Sequence, residues 1–418
     1  MGVETMPTPI LQDFEQRGLL ADVTTRDELA AHLAGGSRTL YVGFDPTADS
    51  LHIGSLVPLL ALRRMQRAGH RPIVLVGGGT GLIGDPAGKA GERALNAAEQ
   101  VAVWADRLKA QVRPFLDFDR GPHAAILVDN YEWLSKLELI PFLRDVGKHF
   151  GVGAMMARES VRARLGAGIS FTEFTYQILQ AYDFLALHER HGCTLQMGGS
   201  DQWGNITAGT ELIRKVRGAA AYGLTMPLVA KADGTKFGKT ETGTVWLDPA
   251  RTPAYEMYQF WLNTADADVV PFLGYFTFLS PAEIEELARQ TAAAPEKREA
   301  QRVLSREVTR LVHGDAALAE AERASARAFN RDVSGVLDDE DGGVPGAVLP
   351  AAPEPRPVWR VLKDAEIVPS TSEARRLIQQ GGVEVNGRRL GDLNETLPPG
   401  RYAIKVGKRR VYRVVIEG

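Results

Sequence analysis

Residues 39–79 read TLYVGFDPTADSLHIGSLVPLLALRRMQRAGHRPIVLVGGG, and this stretch decides the fold. Thr39 to Phe44 is a short apolar run of strand type, and Leu56 to Arg67 carries its apolar residues at helical spacing. Arg71 to Val76 is a second apolar run that stops at Gly77-Gly78-Gly79. Strand, helix and strand in that order make a βαβ unit of a parallel sheet. The connection from Asp45 to Ser55 is long and polar, and in an open parallel sheet a ligand sits there, beyond the carboxyl ends of the strands.

Downstream, Ala125 to Val128 predicts a further strand, and Phe142, Val146 and Phe150 recur at helical spacing in a region that reads as inserted into the nucleotide-binding fold. Ser170 to Leu187 predicts a helix apolar on most flanks, interrupted by one polar stripe of Tyr176, Gln180 and Asp183 at i, i+4 and i+7. An unpaired buried carboxylate is costly, so that stripe must face a partner group or a cavity. After Pro227 comes a loop rich in Gly and Lys, Lys231 to Thr240, then helical patterns from Pro253 to Phe329. Arg331 to Pro357 is rich in Gly, Pro and Asp and reads as a linker. The remaining residues predict a short helix, Ser372 to Gln380, and strands at Val383-Glu384-Val385, Tyr402 to Val406 and Val411 to Ile416. The expected order is therefore an α/β Rossmann-like parallel-sheet domain over 1–228 with an insertion at about 127–171, and a loop over 229–248. A helical domain over 249–330, a linker over 331–356 and a small α/β module over 357–418 complete it.

Composition narrows the possibilities. The 418 residues, 44% hydrophobic and 24% charged, suit a globular protein of several domains. No apolar run approaches the roughly 18 residues of a membrane span, and Asp13 and Glu15 stand where a secretory signal would be basic and then apolar. A cytoplasmic location is expected. The single cysteine, Cys193, excludes an internal disulfide framework, and the eight histidines show no paired ligand spacing, so no structural metal is expected. Formal net charge is −3, but residues 356–418 hold 13 Lys+Arg against 7 Asp+Glu while residues 1–355 hold 36 against 45. Any general nucleic-acid contact therefore belongs to the tail.

Two short motifs carry chemistry. His52-Ile53-Gly54-Ser55 opens the helix after the first strand, where free N–H groups and a partial positive charge can cradle a phosphate or a ribose edge. Thr47 and His52 add side-chain donors, and Gly54 lets a ligand approach the backbone. Lys236-Phe237-Gly238-Lys239-Thr240 places two lysines in a Gly-containing loop that can close over a polyphosphate. The order and distance of the two motifs resemble the signatures of class I aminoacyl-tRNA synthetases. The stretches Tyr41 to Thr47, Gly81-Leu82-Ile83-Gly84-Asp85-Pro86, Thr172-Glu173-Phe174, Gln180-Ala181-Tyr182-Asp183 and Gly198 to Asn205 are similar to the tyrosyl branch of that class.

That resemblance implies tyrosine activation by ATP, with Mg²⁺ accompanying the nucleotide, followed by transfer to tRNA(Tyr). Tyr41 and Asp183 would hold the substrate phenol, Asp85, Tyr176 and Gln180 its ammonium, and Gln202 would sit near its carboxylate. Asp45, Thr47, His52 and Gly54 would contact the nucleotide, with Ser55 in the same motif and Asp201 near the ribose. Lys89, Arg93, Lys236, Lys239 and Thr240 would grip the departing pyrophosphate. Ser55 stands where the commonest form of the first motif has a second histidine, and its hydroxyl can still donate to ribose or phosphate.

The tail resembles a small RNA-binding module first described in a ribosomal small-subunit protein, through Ser370 to Gly382 and Val385-Asn386-Gly387-Arg388-Arg389. Arg375, Arg376, Arg388 and Lys408 are its expected RNA contacts, and in this family the helical domain binds the anticodon region. The family also implies a homodimer joined through the insertion, with Phe171 as the residue crossing the two-fold axis. Three other readings meet the residues less well. A tryptophan enzyme has no use for Tyr41 paired with Asp183; an RNA-binding scaffold has no need of His52, Lys236 and Lys239 together; and a small-molecule nucleotidyltransferase leaves the basic tail unexplained.

Overall fold

The computed structural model describes residues 9–87, 95–119, 121–166, 168–232, 237–240, 243–329, 346–352, 354–407 and 410–418. The chain divides into two compact units, one of Met1–Phe237 with Pro271–Glu285 and the other of Gly238–Val270 with Glu286–Gly418. The first is built on a six-stranded sheet of β1 (Asp22–Val23), β2 (Thr39–Phe44), β3 (Arg71–Val76), β4 (Ile126–Asp129), β5 (Cys193–Gly199) and β6 (Tyr222–Met226). The strand order is β1-β6-β5-β2-β3-β4, parallel throughout except for β1. Connections run outward to one side from β2 and to the other from β5, so a crevice opens between these two strands at their carboxyl ends. Tyr41 stands at that seam, in register with Ile73 of β3 and Gln196 of β5.

The βαβ unit has the boundaries its sequence predicts, because β3 is buried from Pro72 onward and reads as one unbroken apolar run. The helix Leu56–Arg67 buries Leu56, Leu59, Leu60 and Met65 and stops before Gly69, whose φ of +88° no helix accommodates. β4 starts one residue later than predicted, since the Ala125 N–H donates to the Asp117 carbonyl (2.7 Å) instead of joining the ladder. β5 and β6 carry weak strand signatures, broken by Gln196, Gly198 and Gly199 in one and Gly223 in the other. The buried helix spans Phe171–His191: Ser170 caps its start by accepting from the Glu173 N–H (3.2 Å), and Gly192 in the left-handed region ends it. It overruns the predicted end at Leu187 because no residue before Gly192 interrupts it.

Pro271–Glu285, expected within the helical domain, packs with the first unit. Phe276 stacks on Phe237 and Phe272 meets it edge-on, with centroids 5.4 and 5.2 Å apart. Arg64, in the last turn of Leu56–Arg67, is buried and needs acceptors; it donates to the carbonyls of Gly274 (3.2 Å) and Thr277. Burial pulls the Arg64 guanidinium down to about 9.

In the second unit Tyr255 and Tyr258 of helix Ala254–Leu262 pack on Leu318, Ala321 and Ala324 of Glu299–Phe329, a long helical run interrupted at Gly314 (φ 83°). Two helices, Val358–Asp364 and Thr371–Gln379, share a core with a five-stranded sheet through Val361, Leu362, Ile378, Val383, Ile404 and Val414. One strand of that sheet corrects the linker reading. Gly346–Leu349 pairs in parallel with Arg410–Ile416, since Gly-Ala-Val-Leu is a short apolar segment able to cover a sheet edge. Residues 331–345 of the expected linker lie outside the described residues. Among the described residues no helix is long and apolar enough to cross a membrane.

The turn after β3 admits no side chain. A Cβ on Gly77 would lie 2.0 Å from Asp45 Oδ1, and one on Gly78 would lie 2.3 Å from Asp129 Oδ1. Gly77→Ala should destabilise the protein by about 1–3 kcal/mol in urea unfolding, while Gly153→Ala, in open space on a helix, should be neutral or stabilising. Equal midpoints for the two variants would show that the turn is not sterically closed.

Candidate active site

The crevice holds a cavity of about 720 Å³, and of the expected site residues Tyr41, Asp45, Thr47, His52, Gly54, Ser55, Asp85, Tyr176, Gln180, Asp183, Asp201 and Gln202 line it, whereas Phe171 and the tail arginines do not. β2 supplies Tyr41 to the floor, where its ring packs against Phe184 at 5.3 Å. The Tyr41 hydroxyl is buried and has no hydrogen-bond partner. Asp183 comes to the same floor from the buried helix. Its carboxylate accepts from Trp133 Nε1 (2.7 Å) and Asn130 Nδ2 (2.9 Å). Burial pushes the Asp183 carboxyl up to about 8, opposed by these two donors. The Tyr41 phenol is held well above its usual range by burial and then by the negative charge of Asp183.

Asn130 ties the floor to the upper wall. It sits just beyond the carboxyl end of β4, accepts from the Gly79 N–H (2.7 Å), and donates to Thr80 Oγ1 (2.9 Å) as well as to Asp183. Thr80 in turn donates to Asp45 Oδ1 (2.7 Å), and Tyr176 donates its hydroxyl to Asp45 Oδ2 (2.7 Å). Tyr176 therefore lies nearer Asp45 than its implied ammonium role alone requires, although its oxygen retains acceptor capacity.

Midway along the cavity, Asp85 accepts from the Ala87 N–H (2.9 Å) and from Gln202 Nε2 (2.7 Å). Gln180 donates to Gln202 Oε1 (3.2 Å) and accepts from Asn205 Nδ2 (2.9 Å), which fixes both amides. Burial lifts the Asp85 carboxyl to about 6, its two hydrogen bonds pulling the other way. Neither Asp85 nor Asp183 has a cationic partner among the described residues, so the middle and floor form a desolvated, electronegative slot.

At the mouth, His52 Nδ1 accepts from the Gly54 N–H (3.0 Å) and caps the turn Ile53–Ser55 that leads into the helix. That bond puts the ring proton on Nε2 as a donor. A Cβ on Gly54 would press on the His52 ring at 2.8 Å, so Gly54 is required by the histidine as well as by ligand access. Thr47 is exposed here and Ser55 makes no side-chain cap bond.

Lys89, Arg93, Lys236 and Lys408 lie outside the described residues; Lys239 and Thr240 contribute backbone to a short hairpin with Gly243–Thr244, their side chains also being outside. In the tail, Arg375 lies 4.3 Å from the Trp359 ring centroid, Arg376 is exposed, and Arg388 pairs with Glu395. Phe171 is 77% exposed at the start of the buried helix, in a sequence region that also exposes Leu139, Ile140, Val152 and Leu165. The site residues that the sequence reading misses are Thr80, Asn130, Trp133 and Asn205. Asn130 could have been sought from its place just past a parallel strand; Trp133 has no local signal.

The family of tRNA synthetases class I (W and Y) matches residues 34–330, and the S4 domain matches residues 358–401. A tyrosine–tRNA ligase of Bacillus caldotenax is 54% identical over 416 residues, 97% of this chain and 99% of that protein. One of Aliivibrio fischeri is 50% identical over 419 residues, covering 97% and 98%. Among solved structures, a C-terminally truncated Aspergillus nidulans mitochondrial tyrosyl-tRNA synthetase aligns with a TM-score of 0.71 at 29% identity, covering 77% of this chain and 94% of that one. With a family match across most of its length and relatives more than half identical over nearly all of it, the chain belongs to the class I tRNA synthetases of the tryptophan and tyrosine group.

Proposed function

We propose that this chain joins L-tyrosine to tRNA(Tyr) in two steps, through a tyrosyl-adenylate. The observation that carries the reading is the floor of the cavity, where the Tyr41 hydroxyl is buried without a partner beside a buried carboxylate held by two donors. A phenolic hydroxyl can donate to Asp183 and accept from Tyr41, so one incoming oxygen satisfies both. Phenylalanine would leave the Tyr41 hydroxyl desolvated and unpaired and give Asp183 no further donor, and an indole N–H cannot accept from Tyr41. Asp85 and the oxygens of Tyr176 and Gln180 suit the substrate ammonium, and Gln202 and its neighbours lie toward the carboxylate.

Activation needs no nucleophilic side chain. The tyrosine carboxylate attacks the α-phosphorus of ATP and pyrophosphate leaves; a ribose hydroxyl of the terminal tRNA adenosine then attacks the acyl carbon and AMP leaves. The chain's part is to position and to neutralise charge that develops on the triphosphate. His52 Nε2 and the N–H groups at Gly54 and Ser55 suit the phosphates, with Thr47 and Asp45 beside them and Asp201 toward the ribose. Lys89, Arg93, Lys236, Lys239 and Thr240 complete the pyrophosphate grip in this reading. Mg²⁺ enters with ATP as part of the substrate, its ligands in this reading being mainly phosphate oxygens and water.

The same reading assigns residues 1–228 to the catalytic domain, 229–248 to the Lys-Phe-Gly-Lys-Thr loop, 249–330 to anticodon binding and 357–418 to RNA binding through Arg375, Arg376, Arg388 and Lys408. Exposed apolar side chains at Leu139, Ile140, Val152, Leu165 and Phe171 support a homodimer joined through the insertion. A cytoplasmic setting, where tRNA is charged, belongs to it too.

Two measurements test the reading. Tyrosine should drive exchange of labelled pyrophosphate into ATP, and a chain ending at residue 355 should keep that exchange while losing tRNA charging; exchange with tryptophan alone, or unimpaired charging by the truncated chain, would contradict it. The second concerns pH. Asp85 titrates near 6, and below that value protonation removes the carboxylate that meets the ammonium. Tyrosine affinity should fall as pH drops below about 6, by up to about tenfold per pH unit. Asp85→Asn should bind weakly with a flat profile between about pH 5 and 7, and a flat profile over that range in the unaltered protein would remove Asp85 from the role.

A further inference from the structure

The helix Leu56–Arg67 starts at the cavity described above and ends at another. Arg63, Gln66 and Arg67 form one wall of an open cavity of about 720 Å³, and the segment from Arg113 to Asp119 with His123 forms the other. The helix gives Val57 and Pro58 to the first cavity and Arg63, Gln66 and Arg67 to the second, and the two share no lining residue. The second is built rather than accidental. Gln66 Nε2 donates to the Asp117 and His123 carbonyls (2.7 and 2.9 Å), and Gln66 Oε1 accepts from the Asp117 N–H (3.0 Å).

Its arginines are placed without counter-charge. Arg63 and Arg67, one helical turn apart, both lie against the Phe278 ring, 5.3 and 3.9 Å from its centroid, and Arg113 lies 5.5 Å from the Phe118 ring. Rings orient guanidinium groups and supply no negative charge, and like charges at this helical spacing repel. Neighbouring Arg64 has Asp13 at 3.8 Å. Among the described residues Arg63, Arg67 and Arg113 have no carboxylate within ion-pair distance. Asp117 and Asp119 line the far wall, where Asp117 Oδ1 accepts from the Asp119 N–H (3.0 Å). Carbonyl ends of helices account for Arg67 and Arg113, each at the end of its helix. They do not account for Arg63, a turn earlier, or for its convergence with Arg67 on one ring.

We propose that this cavity binds a small phosphomonoester, its phosphate bridging Arg63 and Arg67 with Arg113 opposite, and its organic body resting on Pro114 and Phe118. Guanidinium forks match phosphate oxygens, and a dianion removes the repulsion between the two helix arginines. The occupant is a small molecule and not an RNA strand. The site is concave and of ligand size, and residues 1–355 carry nine more acidic than basic side chains, which opposes general attraction of a polyanion.

The test is calorimetric titration of the full-length protein, saturated with tyrosine and a non-hydrolysable ATP analogue so that both the floor and the mouth of the first cavity are filled, with phenyl phosphate and with inorganic phosphate. Saturable binding is expected, tighter for phenyl phosphate. Arg63→Gln/Arg67→Gln and, separately, the exposed Arg113→Gln should weaken it by about tenfold or more with tyrosine affinity unchanged. The single variant keeps the test open should the double one unfold. Absence of saturable binding, equal affinity in all three proteins, or variants that lose affinity for tRNA alone would each overturn the proposal.

Discussion

The carboxylate of Asp183, buried and held by Trp133 and Asn130, is the constraint on which the site depends. A carboxyl group lifted to about 8 by desolvation is a cost to the folded chain near neutral pH, and two neutral donors offset only part of it. Those donors come from the segment after β4, while Asp183 comes from the buried helix, so the two must stay in contact. Asn130 extends the constraint through Thr80 to Asp45 and Tyr176. Floor and upper wall therefore share one hydrogen-bonded network, and the tri-glycine turn lets the backbone pass beneath it without a side chain in the way.

The polar groups of the slot are arranged for something that is not the protein. Tyr41 has a hydroxyl with no partner, and Asp85 and Asp183 lack cations among the described residues, yet Tyr41 and Asp183 are buried and Asp85 is half-buried. Native interiors seldom leave such groups unpaired, and when they do a ligand commonly completes them. A zwitterion with a phenol at one end and an ammonium at the other answers both deficits at once. The cost of desolvating these groups is met during folding, so little reorganisation remains when substrate enters.

Much of this was legible before any coordinates. The apolar runs of β2 and β3 and the helical spacing of Leu56 to Arg67 set the βαβ unit, and the polar stripe of Tyr176, Gln180 and Asp183 on an otherwise apolar helix does face a cavity. What was not legible depends on tertiary contact. Arg64 looks like a surface residue at a helix end, yet it is buried and donates to carbonyls of Pro271–Glu285, which together with Phe272 and Phe276 against Phe237 holds that segment to the first unit. Gly346–Leu349 is too short to announce itself as a strand without its partner Arg410–Ile416. Trp133 and Asn130 lie about fifty positions from Asp183 in sequence, and no spacing rule reaches that far.

The most direct measurement compares Tyr41→Phe with the unaltered protein in two respects, unfolding free energy without ligand and the ratio of kcat/KM for tyrosine to that for phenylalanine in pyrophosphate exchange. Because the hydroxyl is buried and unpaired, its removal should leave stability unchanged or slightly raised while the selectivity ratio falls by about tenfold. A variant that loses stability and keeps its selectivity would show that the hydroxyl serves the fold, and the account of the cavity floor would fail.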